Sequence, residues 1–214
     1  MKTHIQLKNA NKLELPSIFK DDDVRYSESL VEYFLQEFTL ENDVIFDPFA
    51  GYGTTLLVAQ AMQRIPYGLE FEANRGQYIQ SKLNTPDNLI IGDARQLLSY
   101  NLPAFDLSIT SPPYMGKGDK EDPLAAYSRA GAGYQAYLQD IRQIYQQMKE
   151  LMKPTAKVVI EVANLKREEG VTRLAWDIAE TVSQELKFEG EVIVCWDEYG
   201  YGYDHSYCLV YSRG

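Results

Sequence analysis

The fold is decided by a stretch in the first quarter of the chain, which reads Asp47-Pro48-Phe49-Ala50-Gly51-Tyr52-Gly53-Thr54-Thr55. It follows the short apolar run Val44-Ile45-Phe46 and precedes a helical pattern over residues 54–62. Glycines at such a turn let the backbone pass close to a ligand, and the start of the helix offers unpaired N–H groups. The pattern differs from the dinucleotide fingerprint and from the phosphate loop, which ends in Gly-Lys-Ser/Thr. A tight strand-to-helix turn without a ligand is the simpler alternative.

Outward from this turn, short apolar runs alternate with helical patterns, which is typical of a mostly parallel sheet flanked by helices. Further strands are predicted over residues 67–69, 89–91, 105–109 and 157–162, and further helices over residues 74–82, 134–152 and 171–186. The helix over 134–152 is expected to stop at Pro154. Residues 191–195 and 207–211 lie close together across Gly200, Gly202 and Asp204, and we expect them to form an antiparallel hairpin.

Length and composition indicate one folded domain with a sizeable core, since the chain has 214 residues of which 45% are hydrophobic. No apolar run approaches the roughly 20 residues of a membrane span, and the first residues lack the apolar segment of a signal peptide, so we expect a cytoplasmic protein without membrane contact. Two cysteines and two histidines are too few for a structural zinc site, and no metal is predicted.

The charge is distributed unevenly along the chain. The net charge is −10, which argues against a protein that wraps duplex nucleic acid over its whole surface. Residues 1–20 nevertheless carry +3, from Lys2, Lys8, Lys12 and Lys20 against Glu14. We divide the chain into a basic N-terminal arm over residues 1–20 and a single domain over residues 21–214, and an ordinary solvated terminus is the favoured explanation of the arm's charge.

Acidic residues follow the next two predicted strands. Glu70 comes directly after Tyr67-Gly68-Leu69, and Asp93 comes shortly after the strand over 89–91. In open α/β sheets, ligands bind outside the carboxyl ends of the strands, and a carboxylate about 20 residues past the glycine turn is placed to bind a ribose diol. For each acid alone, a helix N-cap or a solvated turn residue is the favoured explanation, and the argument for a ligand site depends on their occurrence at successive strand ends.

The most specific signal is Thr110-Ser111-Pro112-Pro113-Tyr114, directly after the strand over 105–109. Two adjacent prolines stiffen the backbone and fix the preceding side chain and carbonyl. A hydroxyl and a carbonyl can accept the N–H protons of a planar amino-heterocycle, while the tyrosine ring stacks on its face. The alternative is a plain Pro-Pro turn with a packing tyrosine. Residues 115–133 that follow have no periodicity, and a loop of this length inside a compact domain is usually functional.

Taken together, these residues resemble the S-adenosylmethionine-dependent amino-methyltransferases of DNA. The glycine turn looks like the cofactor motif of that family, and residues 111–114 look like its catalytic tetrapeptide, in which serine at the first position is typical of N4-cytosine enzymes. The segment over 26–34 and the closing strand over 205–210 are also similar, so that the resemblance spans residues 24–212. Tyr52 departs from the family pattern, which usually has a small residue there.

The resemblance implies a Rossmann-like class I methyltransferase fold, with a seven-stranded, mostly parallel sheet that ends in an antiparallel hairpin. It implies S-adenosylmethionine as cofactor, S-adenosylhomocysteine as product, and Ser111, Pro112, Pro113 and Tyr114 as catalytic residues. The cofactor-binding residues that it implies are Tyr26, Asp47, Pro48, Phe49, Ala50, Gly51, Gly53, Thr54, Glu70, Phe71, Asp93 and Ala94.

The expected reaction is methyl transfer to an exocyclic amine, with cytosine N4 in DNA as the preferred target and a role in restriction-modification. Adenine N6, RNA, a protein glutamine, and a catalytically silent subunit remain alternatives. Residues 115–133 form a substrate-side loop that is too short for a separate target-recognition domain, so that a basic or target-recognising partner subunit is a further expectation.

Other chemistries fit the sequence less well. There is no Gly-x-Ser-x-Gly nucleophile elbow. His205 and Cys208 are expected to face opposite sides of one extended strand and to be structural. The tyrosines near the C-terminus could stack on bases, although packing of the hairpin is the favoured interpretation; they are Tyr199, Tyr201, Tyr203, Tyr207 and Tyr211.

Overall fold

The computed structural model describes residues 1–22, 25–127, 130, 133–168, 170–197 and 203–214. The strands are β1 His4–Leu7, β2 Val44–Asp47, β3 Ile65–Glu70, β4 Leu89–Ile91, β5 Phe105–Thr110, β6 Met152–Val162, β7 Leu165–Arg167, β8 Gly170–Thr172, β9 Lys187–Trp196 and β10 His205–Ser212. The helices are α1 Glu28–Phe38, α2 Thr54–Ala61, α3 Ala73–Gln80, α4 Tyr134–Leu151 and α5 Leu174–Val182. Short 3-10 turns cover Ser17–Asp22, Pro86–Asn88, Ala94–Ser99 and Pro123–Ala125.

Eight strands form one sheet in the order β1-β9-β10-β6-β5-β2-β3-β4. Within it β10 runs antiparallel to both of its neighbours, and the other pairs are parallel. The predicted mostly parallel sheet and the C-terminal hairpin, β9–β10, are therefore confirmed. The chain order reverses between β2 and β5, and ligands bind at such a switch point in open α/β sheets.

The sheet has eight strands where seven are predicted, and the additional strand, β1, lies in residues 1–20, the predicted basic arm. Its four residues pair with β9, Ile5 opposite Val194, and the Ile5 side chain is buried. Farther along, Leu15 is also buried, and the Ser27 hydroxyl donates to the Lys8 carbonyl at 3.0 Å. Part of the segment over residues 1–20 is thus built into the domain.

Helices cover both faces of the sheet because alternate strand residues point to opposite sides. Val158 and Ile160 pack with α4 and α5, whereas Val159 between them packs with α1 and α2. Apolar residues at helical spacing on α4, including Ile141, Tyr145 and Met148, are buried in the first of these layers. The carboxyl edge of the sheet remains between the two helical layers.

Two predicted boundaries differ from the structure. Helix α4 ends at Leu151, but Pro154 then lies inside β6, where the register with β5 shifts between Phe105 and Leu107 and a missing N–H is tolerated. The helix predicted over 171–186 begins only at Leu174, because residues 170–172 form β8 and pair with β7.

Candidate active site

The carboxyl edge of the sheet contains a cavity of about 1060 Å³. It lies where β2, β3, β5 and β6 end. Fourteen of the predicted site residues line it, namely Tyr26, Pro48, Phe49, Ala50, Gly51, Thr54, Glu70, Phe71, Asp93, Ala94, Ser111, Pro112, Pro113 and Tyr114. The remaining two, Asp47 and Gly53, are not among the lining residues. The structure thus brings the glycine turn, both acids and the tetrapeptide to one cavity.

The glycine turn after β2 has the backbone geometry that its sequence predicts. Gly51 has φ of 57° and Gly53 has φ of 84°, which are left-handed values that favour glycine. A Cβ on Gly53 would lie 3.0 Å from a methyl carbon of Ile79 on α3, so that the turn also needs a residue without a side chain for close packing. Gly53 is the N-cap of α2, and the Gly53 N–H donates to the Ala50 carbonyl at 2.7 Å.

Asp47 holds this turn against the end of β5. Its buried carboxylate accepts hydrogen bonds from the Thr110 hydroxyl at 2.6 Å and from the Phe49 N–H at 2.9 Å. Burial raises the pKa of Asp47 to about 6, and these hydrogen bonds oppose the rise. Tyr26 lies 3.5 Å from the same carboxylate through its hydroxyl, which also hydrogen-bonds Thr55. Asp47 is therefore a structural support of the cavity wall.

Glu70 connects the end of β3 to the glycine turn. One carboxylate oxygen accepts from the Gly51 N–H and the other from the Glu72 N–H, each at 2.8 Å. The residue is 6% exposed, and burial raises the pKa of Glu70 to about 7. Because Glu70 also lines the cavity, its remaining lone pairs are available to a ligand's hydroxyl groups.

Asp93 is held by Arg95, which is not among the predicted site residues. The Arg95 side chain donates to both oxygens of the Asp93 carboxylate, and the shortest of these hydrogen bonds is 2.7 Å. It also contacts Asp122 at 3.3 Å and Asp140 at 3.5 Å. The hydrogen bond with Asp93, followed by the three negative charges, raises the pKa of Arg95 above its usual range. Arg95 thereby connects the cavity edge to the segment after the tetrapeptide. An Asp-x-Arg triplet is too common to reveal this role.

The tetrapeptide is anchored on both sides by tyrosine hydroxyls. Tyr137 on α4 donates to the Pro113 carbonyl at 2.9 Å. The Tyr114 hydroxyl donates to Glu161 on β6 at 3.0 Å and accepts from the Ala163 N–H at 3.1 Å. The Ser111 hydroxyl lies 3.4 Å from the same phenol oxygen. Glu161 was missed because one charge in an apolar strand run carries no specific signal.

The segment over residues 115–133 folds against the cavity in its described part. Met115 is buried, and Arg167 forms an ion pair with Asp119, with a second nitrogen-to-oxygen contact of 3.0 Å. Tyr127 lines the cavity while it is 53% exposed. Three cations belong to the predicted substrate-side loop over 115–133: Lys117 and Lys120 are exposed, and Arg129 lies outside the described residues. This segment forms one wall of the entrance.

The C-terminal aromatic residues mostly pack the hairpin. Tyr211 is fully buried, and Tyr207 contacts the Trp176 ring with centroids 4.9 Å apart. The Tyr203 ring contacts His205 edge-on. Cys208 is buried and burial raises its pKa, whereas the His205 ring hydrogen-bonds Tyr207. Tyr199 and Tyr201, with Gly200 and Gly202, lie outside the described residues.

Metal ligands and membrane spans are absent from the described part of the chain. No group of three or more His, Cys, Asp or Glu side chains in the described ranges is placed to hold a metal ion. None of the helices built from those residues is both long and apolar enough to cross a bilayer.

The family comparison matches the part of the chain that holds the glycine turn. The family model described as DNA methylase, of the N6/N4 type, matches residues 6–81, a range that includes Gly51 and Glu70 and ends before Ser111. The Type II methyltransferase M.BglII of Bacillus subtilis is 42% identical over 48 residues, which are 22% of this chain and 13% of that protein. The resemblance to DNA amino-methyltransferases is thereby confirmed for residues 6–81.

Structural comparisons match nearly the whole chain. The crystal structure of TrmN from Thermus thermophilus covers 91% of this chain with a TM-score of 0.63 at 15% identity, and the chain spans 52% of that structure. An S-adenosylmethionine-dependent methyltransferase from Clostridium acetobutylicum covers 91% of this chain, and 96% of its own length, with a TM-score of 0.60 at 10% identity. The predicted Rossmann-like class I methyltransferase fold is thereby confirmed.

Proposed function

Because residues 6–81 match the DNA methylase family and the chain has the class I methyltransferase fold, we propose that this protein methylates an exocyclic amino group of a nucleobase. The methyl donor is S-adenosylmethionine, and the preferred acceptor is N4 of cytosine in DNA. One observation carries the proposal: the glycine turn, Glu70 and the Ser111–Tyr114 tetrapeptide line a single cavity. Donor and acceptor can therefore meet inside it.

The residues on the β2–β3 side fit the methyl donor. Glu70 presents a buried carboxylate that suits the hydroxyl groups of a ribose, and Phe71, next in sequence, is 42% exposed at the cavity and can stack on a purine. Gly51 lines the cavity without a side chain, so that a ligand can approach the backbone of the turn there. When bound, the donor supplies an activated methyl group on a sulfonium, a good leaving group.

The residues on the β5 side fit a planar amine. The Ser111 hydroxyl and the Pro112 carbonyl are acceptors for its two N–H protons, and the ring of Tyr114 provides a stacking face. Hydrogen bonds of this kind favour a pyramidal nitrogen whose lone pair is no longer conjugated into the ring. A fixed position of the amine then provides much of the acceleration. The base must leave the duplex stack, or come from a single strand, to reach this site.

The entrance carries cations although the chain as a whole is acidic. Lys120, Lys166 and Arg167 line the cavity, and Asn9 from the N-terminal segment borders it as well. Positive side chains at the mouth of the cavity can contact the phosphates that flank a target base. So few cations favour a single-stranded or partner-delivered nucleic acid over unaided binding of a long duplex.

Incubation of the protein with labelled S-adenosylmethionine tests the proposal. Unmethylated genomic DNA, total RNA and a protein extract are offered in parallel, and the products are digested to nucleosides or amino acids. We expect label in N4-methylcytosine from DNA. Label in N6-methyladenine, in RNA or in glutamine would replace the proposed acceptor, and cofactor binding without transfer to any of the three would identify a silent subunit.

A further inference from the structure

A buried carboxylate at the end of β6 is connected to the tetrapeptide by a row of hydroxyl groups. Glu161 is 2% exposed, and its oxygen accepts from the Tyr114 hydroxyl at 3.0 Å. The Ser111 hydroxyl lies 3.4 Å from that phenol oxygen. The row therefore leads from the residue proposed to contact the amine to a buried carboxylate at the cavity wall.

The direction of these hydrogen bonds follows from counting protons. The Tyr114 oxygen receives the Ala163 N–H at 3.1 Å, and a backbone N–H can only donate. A phenol carries one proton, and Glu161 accepts it. Ser111 in turn donates its own proton toward Tyr114. Each hydroxyl thus donates toward Glu161, which leaves the lone pairs of Ser111 free to accept a hydrogen bond from an amine.

The reaction needs a destination for a proton. When an exocyclic amine attacks a methyl group, the new N–C bond leaves the nitrogen with one proton too many. The Ser111 hydroxyl cannot keep it, because a protonated alcohol is a very strong acid. We propose that Glu161 is the acceptor of this proton, through the hydroxyls of Ser111 and Tyr114; the inference rests on the proposed function.

The step balances without a further reactant. The N–C bond forms, the bond between the methyl carbon and the sulfonium sulfur breaks, and its electron pair stays on sulfur. The amine proton moves to the Ser111 oxygen, the Ser111 proton moves to the Tyr114 oxygen, and the Tyr114 proton moves to the Glu161 carboxylate. After the step both hydroxyls again carry one proton, and Glu161 is a neutral acid. Glu161 acts through Tyr114 rather than on the amine directly, and its role in the step is to accept the proton.

Glu161→Gln tests the proposal because the side chain keeps its volume and one oxygen for the Tyr114 hydroxyl, but cannot take up a proton. Positioned proton transfer contributes about 10²–10⁴-fold to enzymatic rates, so we expect the single-turnover methylation rate to fall about 100-fold. The affinities for S-adenosylhomocysteine, by calorimetry, and for a cytosine-containing single-stranded oligonucleotide, by fluorescence anisotropy, should change less than about twofold.

Tyr114→Phe interrupts the same path in its middle and guards against a folding defect in the first variant. We expect it to slow the reaction about as much as Glu161→Gln, and the double variant to be no slower than either, since residues on one path are not additive. Tyr137→Phe is the matched control: it removes a hydroxyl from Pro113, outside the path, and any loss it causes should multiply with that of Glu161→Gln.

The outcomes separate the two proposals. A wild-type protein that methylates none of the offered substrates would refute the proposed function and this inference with it. An active wild type with an equally active Glu161→Gln variant would refute the inference alone. Equal losses in rate and in both binding affinities, or losses that multiply in the double variant, would also overturn it, since they would assign Glu161 a purely structural role.

Discussion

Two buried glutamates at the same sheet edge differ in the donors that hold them. Glu70, at the end of β3, accepts from the backbone N–H groups of Gly51 and Glu72. Glu161, at the end of β6, accepts from the hydroxyl of Tyr114. Backbone N–H groups never give up their proton, whereas a hydroxyl can donate and accept in turn.

This difference shows how one cavity can combine two tasks. The region around Glu70 is built from fixed donors and presents a static carboxylate, which suits the recognition of a ligand. The region around Glu161 includes the hydroxyls of Tyr114 and Ser111, whose protons can exchange, and this suits a reaction. The following experiments test whether these regions are as different as their hydrogen bonds indicate.

The largest effect should come from the pH dependence of stability. Burial raises the pKa of Glu70 from 4.5 to about 7 and that of Asp47 from 3.8 to about 6. Each group therefore contributes stability that is fully present below its ordinary pKa and is lost as the pH rises through its folded value. A shift of this size corresponds to about 3 kcal/mol for each group. Chemical denaturation between pH 4 and 8 should show the decline.

Glu70→Gln separates the share of Glu70 from that of other groups. The amide stays neutral, so the variant should lose less stability than the wild type between about pH 4.5 and 7. Glu180→Gln, at an exposed position of α5, serves as the control and should leave the wild-type pH profile unchanged. Parallel pH profiles for all three proteins would contradict the desolvation of Glu70.

The next effect concerns the methyl donor. Glu70→Ala should weaken S-adenosylmethionine binding by about 1.5–3 kcal/mol, the range for hydrogen bonds to a charged group. Calorimetry with the folded variant measures it. The wild-type affinity should also rise with pH through about 7, because the ionised carboxylate is the better acceptor. Unchanged affinity in the variant would place the ribose elsewhere in the cavity.

A slightly smaller effect is expected for the ring of Tyr114. Tyr114→Ala should turn over more slowly than Tyr114→Phe by about 1–3 kcal/mol in the activation free energy, because stacking on an aromatic ring contributes that much per base. Affinity for the methyl donor should stay at the wild-type value in both variants. Equal rates for the two variants would show that the base does not stack on this ring.

The smallest effect concerns the cations at the entrance. Lys120→Gln combined with Lys166→Gln should make the salt dependence of single-strand binding shallower, by about 0.7 in the log–log slope for each phosphate that the protein no longer neutralises. Lys187→Gln, at the opposite end of the parallel strands, should leave the slope unchanged. For the N-terminal segment, Lys2, Lys8 and Lys12 should be neutralised rather than deleted, since deletion would remove β1. An unchanged slope in every variant would refute a role of these cations.

Local signals explain what could be predicted from the sequence. The strands β2, β3, β4 and β5 are compact apolar runs, each ending near a glycine, an acid or a proline pair. Thirteen of the fourteen predicted residues at the cavity lie at or after the ends of these strands, because parallel strands bring their carboxyl ends to one edge. The fourteenth, Tyr26, precedes α1 and was expected only from the family resemblance.

Long-range contacts explain what could not be predicted. Strand β1 has one buried side chain, Ile5, among residues that look solvated, and its partner Val194 is far along the chain. Glu161 has meaning only through Tyr114, which lies on a different strand end. Arg95 depends in the same way on Asp122 and Asp140. Such contacts depend on tertiary structure, and a local pattern does not carry them.

The order of strands at the β1 edge has a consequence for synthesis on the ribosome. Strand β10 is made after the other seven strands of this sheet, yet it lies between β6 and β9 and joins them. Until β10 leaves the ribosome, one edge of β6 has no partner strand. Strand β1 likewise has no partner until β9, with Ile193, has been made. At about 5–20 residues per second, the ribosome needs roughly 10–40 s to make the chain between β1 and β9. During that time an unpaired strand edge is exposed to other nascent chains, and this protein should depend on early chaperone contact more than one whose last strand lies at a border.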